Sequence, residues 1–123
     1  MTYSTQRWLG VAVAVFTALN MAGCAQPKRI YEWGNYQGLV YDHLKGQSKG
    51  PEQQIADLER GVEKARSIGA SLPPGYYAHL GLMYLTIGKG DQAAQAWNTE
   101  KTLFPESGQY VDFLLNNMKK KGG

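Results

Sequence analysis

The chain has 123 residues, of which 43% are apolar, with 13 basic and 10 acidic side chains. This composition fits one small globular domain and excludes a disordered tail. A net charge of +3, scattered along the chain, gives no support for a nucleic-acid-binding surface.

The first 23 residues differ from the rest, because they carry one charge, Arg7, followed by an apolar run over residues 8–19. This run is too short for a membrane span, which needs about 20 apolar residues. An early positive charge, a short apolar core and small residues at its end are typical of a secretory signal. The small residues Ala22 and Gly23 directly precede Cys24, the only cysteine of the chain.

The segment Met21-Ala22-Gly23-Cys24 resembles the lipobox of bacterial lipoproteins. The resemblance implies that residues 1–23 are a lipoprotein signal peptide and that Cys24 carries diacylglycerol and an amide-linked acyl chain such as palmitate. The alternative is a buried free thiol. A lone cysteine in an exported chain has no disulfide partner within that chain, which favours lipidation.

Residues 24–32 are expected to form the lipidated N-terminus and a tether, because they are largely polar, contain Pro27 and show no period. In lipoproteins an aspartate after the cysteine would favour retention in the inner membrane. Ala25 therefore favours a lipid anchor in the outer membrane, on its periplasmic face. Residues 25–30, at about 3.5 Å each, cannot cross the periplasm, so a binding partner must come to this membrane.

Residues 33–121 are predicted to form one all-α domain. Pro51 can open a helix. The apolar residues that follow at helical spacing, with charges between them, are Ile55, Leu58, Val62, Ala65 and Ile68. Short loops between helices imply antiparallel neighbours. The predicted helices lie near 33–45, 51–70, 75–87, 91–103 and 108–120.

The third and fourth predicted helices contain an interrupted apolar pattern. Gly81 lies on the apolar face of the third helix, where glycine costs about 1 kcal/mol relative to alanine, so it calls for a packing reason. Ala93 and Trp97, one turn apart on the next helix, supply a small and a bulky partner. Gly88 and Gly90 can turn the chain, and Asp91 is predicted to cap the new helix.

This arrangement resembles the tetratricopeptide repeat, whose pattern is aromatic-x₂-Leu-Gly-x₂-Tyr, then Ala-x₃-aromatic, then Pro. The matching residues are Tyr77, Leu80, Gly81, Tyr84, Ala93, Trp97 and Pro105. Glu100 departs from the pattern, because the family more often has alanine there.

A weaker copy precedes the motif, with Tyr36, Leu39, Val40 and His43 at the same spacing, and the last helix is expected to be a cap. The resemblance thus implies about two repeats plus a C-terminal capping helix. Two repeats are fewer than the three usually needed for stability. The domain is therefore expected to gain stability from the capping helix, from self-association into a homo-oligomer, or from a partner.

The first helix carries a further resemblance. The stretch YEWGNYQGLVYDHLKG, shortly after the acylated cysteine and before a tetratricopeptide-like domain, is similar to a family of small bacterial lipoproteins without an established function. Members are encoded beside a curli-transport-like lipoprotein and another small lipoprotein. The resemblance implies a location and neighbours, and no mechanism.

Catalytic chemistry is not expected. His43 and His79 show no metal-ligand spacing, and packing roles are favoured for both. The GKGD stretch lacks the first glycine and the Ser/Thr of a phosphate loop. The sequence therefore predicts no catalytic residues, no metal, no cofactor, no enzyme activity and no nucleic-acid partner.

The function predicted from the sequence is protein binding by a scaffold lipoprotein of an envelope or secretion-associated complex, and another envelope lipoprotein is a candidate partner. Stacked helical hairpins form a concave surface lined by their first helices. The groove candidates are Gln37, Tyr41, Ala78, Leu82 and Leu85. The apolar stripe on the third helix could instead pack on neighbouring helices. The alternative function is activation of a peptidoglycan synthase by a regulatory lipoprotein.

Overall fold

Helices make up most of the part of the chain that the computed structural model describes, residues 29–46 and 49–121. The helices are α1 (Tyr36–Leu44), α2 (Pro51–Ser67), α3 (Tyr76–Thr86), α4 (Gly90–Leu103) and α5 (Gly108–Lys121), with a 3₁₀ turn at Pro105–Ser107. Within these ranges no β-strand forms, so the predicted all-α class with helical hairpins is confirmed. The predicted signal peptide, lipobox and Cys24 lie outside the described residues.

Prolines and glycines set several of the helix bounds. Pro51 is the first residue of α2, where its missing N–H is no loss. Gly88 has a φ of 76° after α3, and the following Lys89 N–H bonds the Tyr84 carbonyl at 2.9 Å. Pro105 follows α4 and begins the 3₁₀ turn.

The predicted cap at Asp91 is wrong. Helix α4 begins one residue earlier, at Gly90, and no side chain caps its N-terminus. Asp91 lies within the first turn, where its negative charge still complements the helix dipole.

The core is centred on the antiparallel hairpin of α3 and α4. Helix α2 packs on α3, α5 packs on α4, and α1 has the fewest neighbours. The buried apolar side chains come from all five helices and from the loop before α3. They are Leu39, Ile55, Leu58, Ala65, Leu72, Tyr76, Leu80, Met83, Tyr84, Ala93, Ala96, Trp97 and Val111.

The bundle has two distinguishable ends. We call the proximal end the one where the segment 29–35 meets the loop between α2 and α3 and the end of α4. There the Glu32 N–H donates to the Ser71 carbonyl at 2.8 Å, and the rings of Tyr31 and Phe104 lie 6.3 Å apart. At the distal end, the turn between α3 and α4 meets the last turns of α5, since a Cβ built on Gly90 would lie 3.8 Å from Met118 Sδ.

Candidate interaction surfaces

A close contact between α3 and α4 fixes the hairpin. Gly81 faces the ring of Trp97, and a Cβ built on Gly81 would lie 2.5 Å from Trp97 Cδ1 and 3.0 Å from the Ala93 carbonyl oxygen. Trp97 is fully buried and donates its Nε1–H to the Ala78 carbonyl at 3.0 Å. The absence of a side chain at Gly81 therefore lets an indole ring bridge the two helix backbones.

Tyrosines join α1 and α2 to the start of α3. The Tyr36 and Tyr76 rings lie 4.9 Å apart, and the Tyr76 hydroxyl donates to the Leu58 carbonyl at 2.8 Å. Tyr76 occupies the space left by Gly61, where any Cβ would meet its hydroxyl. Burial raises the pKa of Tyr76 to about 12, with a smaller contribution from Tyr77, so its hydroxyl stays a donor at neutral pH.

The two histidines meet between α1 and α3. Their ring centroids lie 5.4 Å apart, and the Tyr36 ring lies 6.1 Å from that of His79. His79 is 9% exposed, and its Nε2 has no hydrogen-bond partner among the described residues. Burial, together with the neighbouring His43, lowers the pKa of His79 to about 4, so its imidazole is neutral at physiological pH.

Glu100 lies at the start of α3 although it belongs to α4. Its carboxylate is fully buried and accepts the Gly75 N–H at 2.6 Å, just before the first turn of α3. Negative charge is favourable at a helix N-terminus, and here it also satisfies a backbone donor. Burial raises the pKa of Tyr36, and the nearby Glu100 carboxylate adds to this shift. Glu100 therefore joins α4 to the residue before α3.

The predicted groove residues lie on α1 and α3 with unequal exposure. Gln37 and Tyr41 of α1 are exposed, and Tyr41 is 56% exposed, with Lys45 Nζ 4.8 Å from its ring centre. Ala78, Leu82 and Leu85 of α3 are half-buried, and both leucines pack against the core. The well-exposed groove candidates are therefore those of α1, and the α3 candidates expose only part of their side chains.

Two exposed aromatic side chains on α5, which the sequence assigns to the capping helix, were not predicted as interaction candidates. Tyr110 is 55% exposed and Phe113 is 62% exposed. Phe113 follows buried Val111 by two positions, which places it on the opposite side of the helix. The spacing between Val111 and Phe113 shows that they lie on opposite faces of the helix. The sequence alone does not show which of these faces the rest of the domain covers, so the exposure of Phe113 could not be predicted.

Two clefts among the described residues lie away from the predicted groove. One, of about 510 Å³, opens at the proximal end and is lined by residues that include Tyr31, Tyr77 and Phe104. The other, of about 520 Å³, lies between α2 and α4, with Tyr77 and Tyr84 of α3 among its lining residues. Tyr84 donates its hydroxyl to Glu59 beside this cleft; burial, together with that hydrogen bond, raises the pKa of Tyr84 to about 12.

Residues 29–46 and 49–121 contain no group of three or more His, Cys, Asp or Glu side chains that could hold a metal ion. None of the helices described there has both the length and the apolar character to cross a membrane.

These surfaces belong to an all-α helical-hairpin domain. Residues 30–114 match the family model described as a domain of unknown function, DUF4810. The chain therefore belongs to this family. Comparison with curated proteins and with solved structures finds no match.

Proposed function

We propose that this protein is a lipid-anchored module of the outer membrane that binds another protein of an envelope or secretion-associated complex. The observation that carries the proposal is the exposed aromatic ring of Tyr41 on α1. Exposed aromatic side chains on a rigid helical scaffold are typical anchors of protein–protein contacts.

The close packing of α3 and α4 supports a tetratricopeptide-like interpretation. Such repeats need a small residue where a bulky ring of the second helix approaches, and Gly81 with Trp97 provides this pair. In this interpretation α1 and α3 are the first helices of two repeats, so Tyr41, Gln37 and Leu82 lie on the concave binding surface.

The proposed ligand is an apolar segment or helix of a protein, because the groove candidates are apolar or neutral. A groove for acidic peptide ends would need several basic side chains. On α1 only Lys45 is near, and its ammonium lies over the Tyr41 ring. The resemblance to lipoproteins encoded beside a curli-transport-like lipoprotein suggests such a lipoprotein as the partner.

Partner capture from detergent-solubilised membranes tests the groove. Tyr41→Ala and Leu82→Asp are expected to lose the partner. Binding by the unmodified chain is expected to change little between low salt and roughly 0.5 M salt, because salt screens charges and has little effect on the burial of apolar surface. Phe113→Ala is the matched control, because it removes an exposed aromatic ring on the outer side of α5.

The outcomes separate the alternatives. Salt-sensitive binding that survives both groove substitutions would place the site elsewhere, for example at the lysines near the end of α5. Loss of the partner in Phe113→Ala alone would move it to the outer face of α5. Capture of a peptidoglycan synthase in place of a lipoprotein would favour the regulatory alternative.

The anchor is tested by Cys24→Ser. The substitution is expected to abolish incorporation of labelled palmitate and removal of residues 1–23, because the thiol is the proposed site of the thioether. Continued labelling of the Cys24→Ser chain would show that Cys24 is not the acylation site.

A further inference from the structure

The proximal end of the bundle exposes aliphatic side chains. Ile30 is 80% exposed, Ile68 is 58% exposed and Leu103 is 53% exposed. Ile30 and Leu103 line the same cleft of about 510 Å³. Ile68 directly follows α2, in the turn that leads to Ser71, and Tyr31 pairs with Ser71 in a parallel bridge. The three side chains therefore belong to one end of the bundle.

The chain enters the domain at this same end, and its course there is fixed. Besides the backbone hydrogen bond from Glu32 to Ser71, the Glu32 carboxylate pairs with Lys64 of α2 at 3.0 Å. The Tyr31 ring also lies against Trp33, with ring centres 6.5 Å apart. Arg29, the first described residue, therefore lies at the proximal end, next to exposed Ile30.

The chain length between Cys24 and the domain restricts where this end can be. Residues 25–29 span at most about 18 Å when fully extended. Helix α4, with 14 residues, is about 21 Å long, so the distal end lies about one helix length further from the point of entry. An acyl anchor at Cys24 therefore keeps the proximal end near the bilayer.

We propose that the proximal end docks on the lipid bilayer, with Ile30, Ile68 and Leu103 entering the interfacial region. The inference rests on the proposed acylation of Cys24, and it adds a second membrane contact and a defined orientation. Exposed aliphatic side chains gain free energy when they leave water for the boundary between headgroups and acyl chains.

Charge at this end favours apolar insertion over attraction to anionic lipids. Lys64 pairs with Glu32, and Arg66 of the same helix pairs with Glu63 at 2.8 Å. Arg29, next to Ile30, also acts on Glu32: Lys64, and to a smaller extent Arg29, lower the pKa of the Glu32 carboxyl. The dense basic run near the end of α5 follows Met118, which lies at the distal end. Docking is therefore expected to depend little on the anionic lipid content.

Single-cysteine reporters on the full-length, acylated chain test this orientation, since acylation blocks the thiol of Cys24. Ile68→Cys and Leu103→Cys place a fluorophore at the proximal end, and Lys89→Cys places it in the exposed turn at the distal end. Each protein is reconstituted alone in phosphatidylethanolamine–phosphatidylglycerol vesicles that contain nitroxide-labelled lipid. We expect fluorophores at 68 and 103 to be quenched several-fold more than the fluorophore at 89.

Labelled palmitate is measured on the same samples, so that the two proposals fail separately. Acylated protein with equal quenching at all three positions, or stronger quenching at 89, would overturn the docking and leave the anchor intact. Absence of acyl label would overturn the anchor and the docking together. Stronger quenching at 68 and 103 only in phosphatidylglycerol-rich vesicles would replace apolar insertion by electrostatic attraction as its cause.

Discussion

At the scale of single residues, the packing of the domain favours the neutral form of a buried histidine, His79. His79 is enclosed between α1 and α3 beside His43 and Tyr36, and its Nε2 lacks a partner among the described residues. Charging this imidazole would place a cation in a buried site beside a second histidine ring. The neutral form is therefore a condition of the packing of α1 on α3.

The free energy of unfolding is expected to fall as the pH falls from about 6.5 towards 4. The pKa of His79 is lowered from 6.5 to about 4 in the folded chain, so over this window the unfolded chain binds more protons. A fully developed difference corresponds to about 1.4 kcal/mol per pH unit. Above pH 6.5 this contribution is complete and constant.

Urea unfolding at pH 7 and pH 5 measures this effect, and His79→Gln serves as the non-titrating variant. We expect the difference between the two pH values to shrink in His79→Gln and to persist in His43→Gln, because burial, the larger cause of the lowered pKa of His79, remains in His43→Gln. An unchanged pH dependence in His79→Gln would assign the effect to other groups.

At the scale of elements, the α3–α4 hairpin shows what the sequence could predict. Its motif is local, with a glycine, a turn and an aromatic residue at fixed spacing, and local spacing determines which helix faces meet. The buried position of Glu100 was not predictable in this way, because its partner Gly75 is 25 residues away. Helix α1 begins at Tyr36, whereas the sequence predicted a start near residue 33. Trp33 and Gly34 belong instead to the segment 29–35 that contacts the loop between α2 and α3.

Gly81→Ala is expected to destabilise the domain by about 1–3 kcal/mol, although alanine is the better helix former, because overpacking displaces the Trp97 ring. Gly90→Ala is the matched control in α4, since its Cβ meets only Met118 Sδ at an ordinary 3.8 Å. Thermal unfolding of both variants decides the point. A Gly81→Ala midpoint at or above that of the unmodified chain would show that the indole can move at no cost.

At the scale of the whole molecule, stability is concentrated on one side of the bundle. Six residues of α3 are buried, whereas Leu39 is the one buried residue of α1. Neither the exposure of Ile68 and Leu103 nor the outward position of Phe113 followed from the sequence, because apolar residues at helical spacing predict a core face. Which apolar residues the rest of the fold covers depends on contacts between segments that are distant in sequence.

Hydrogen exchange is expected to reflect this uneven distribution. Amides of α1 should exchange faster than those of α3 and α4, because a helix with few buried contacts opens locally at a lower free energy. Mass spectrometry of peptic fragments after timed exchange in deuterated buffer measures the difference. Equal protection of α1 and α3 would indicate that α1 opens only with the whole domain, or that a partner or a second copy covers it.

The docking of Tyr31 and Glu32 on the loop before α3 has a mechanical consequence. If the chain before Arg29 is pulled, the load reaches the bridge at Ser71 and the ion pair with Lys64 before it reaches α1. These contacts join the entering chain to α2 and to the start of α3, the best-packed part of the domain. Tension on the proposed lipid anchor would thus be transmitted to the core, while the weakly held α1 stays unloaded.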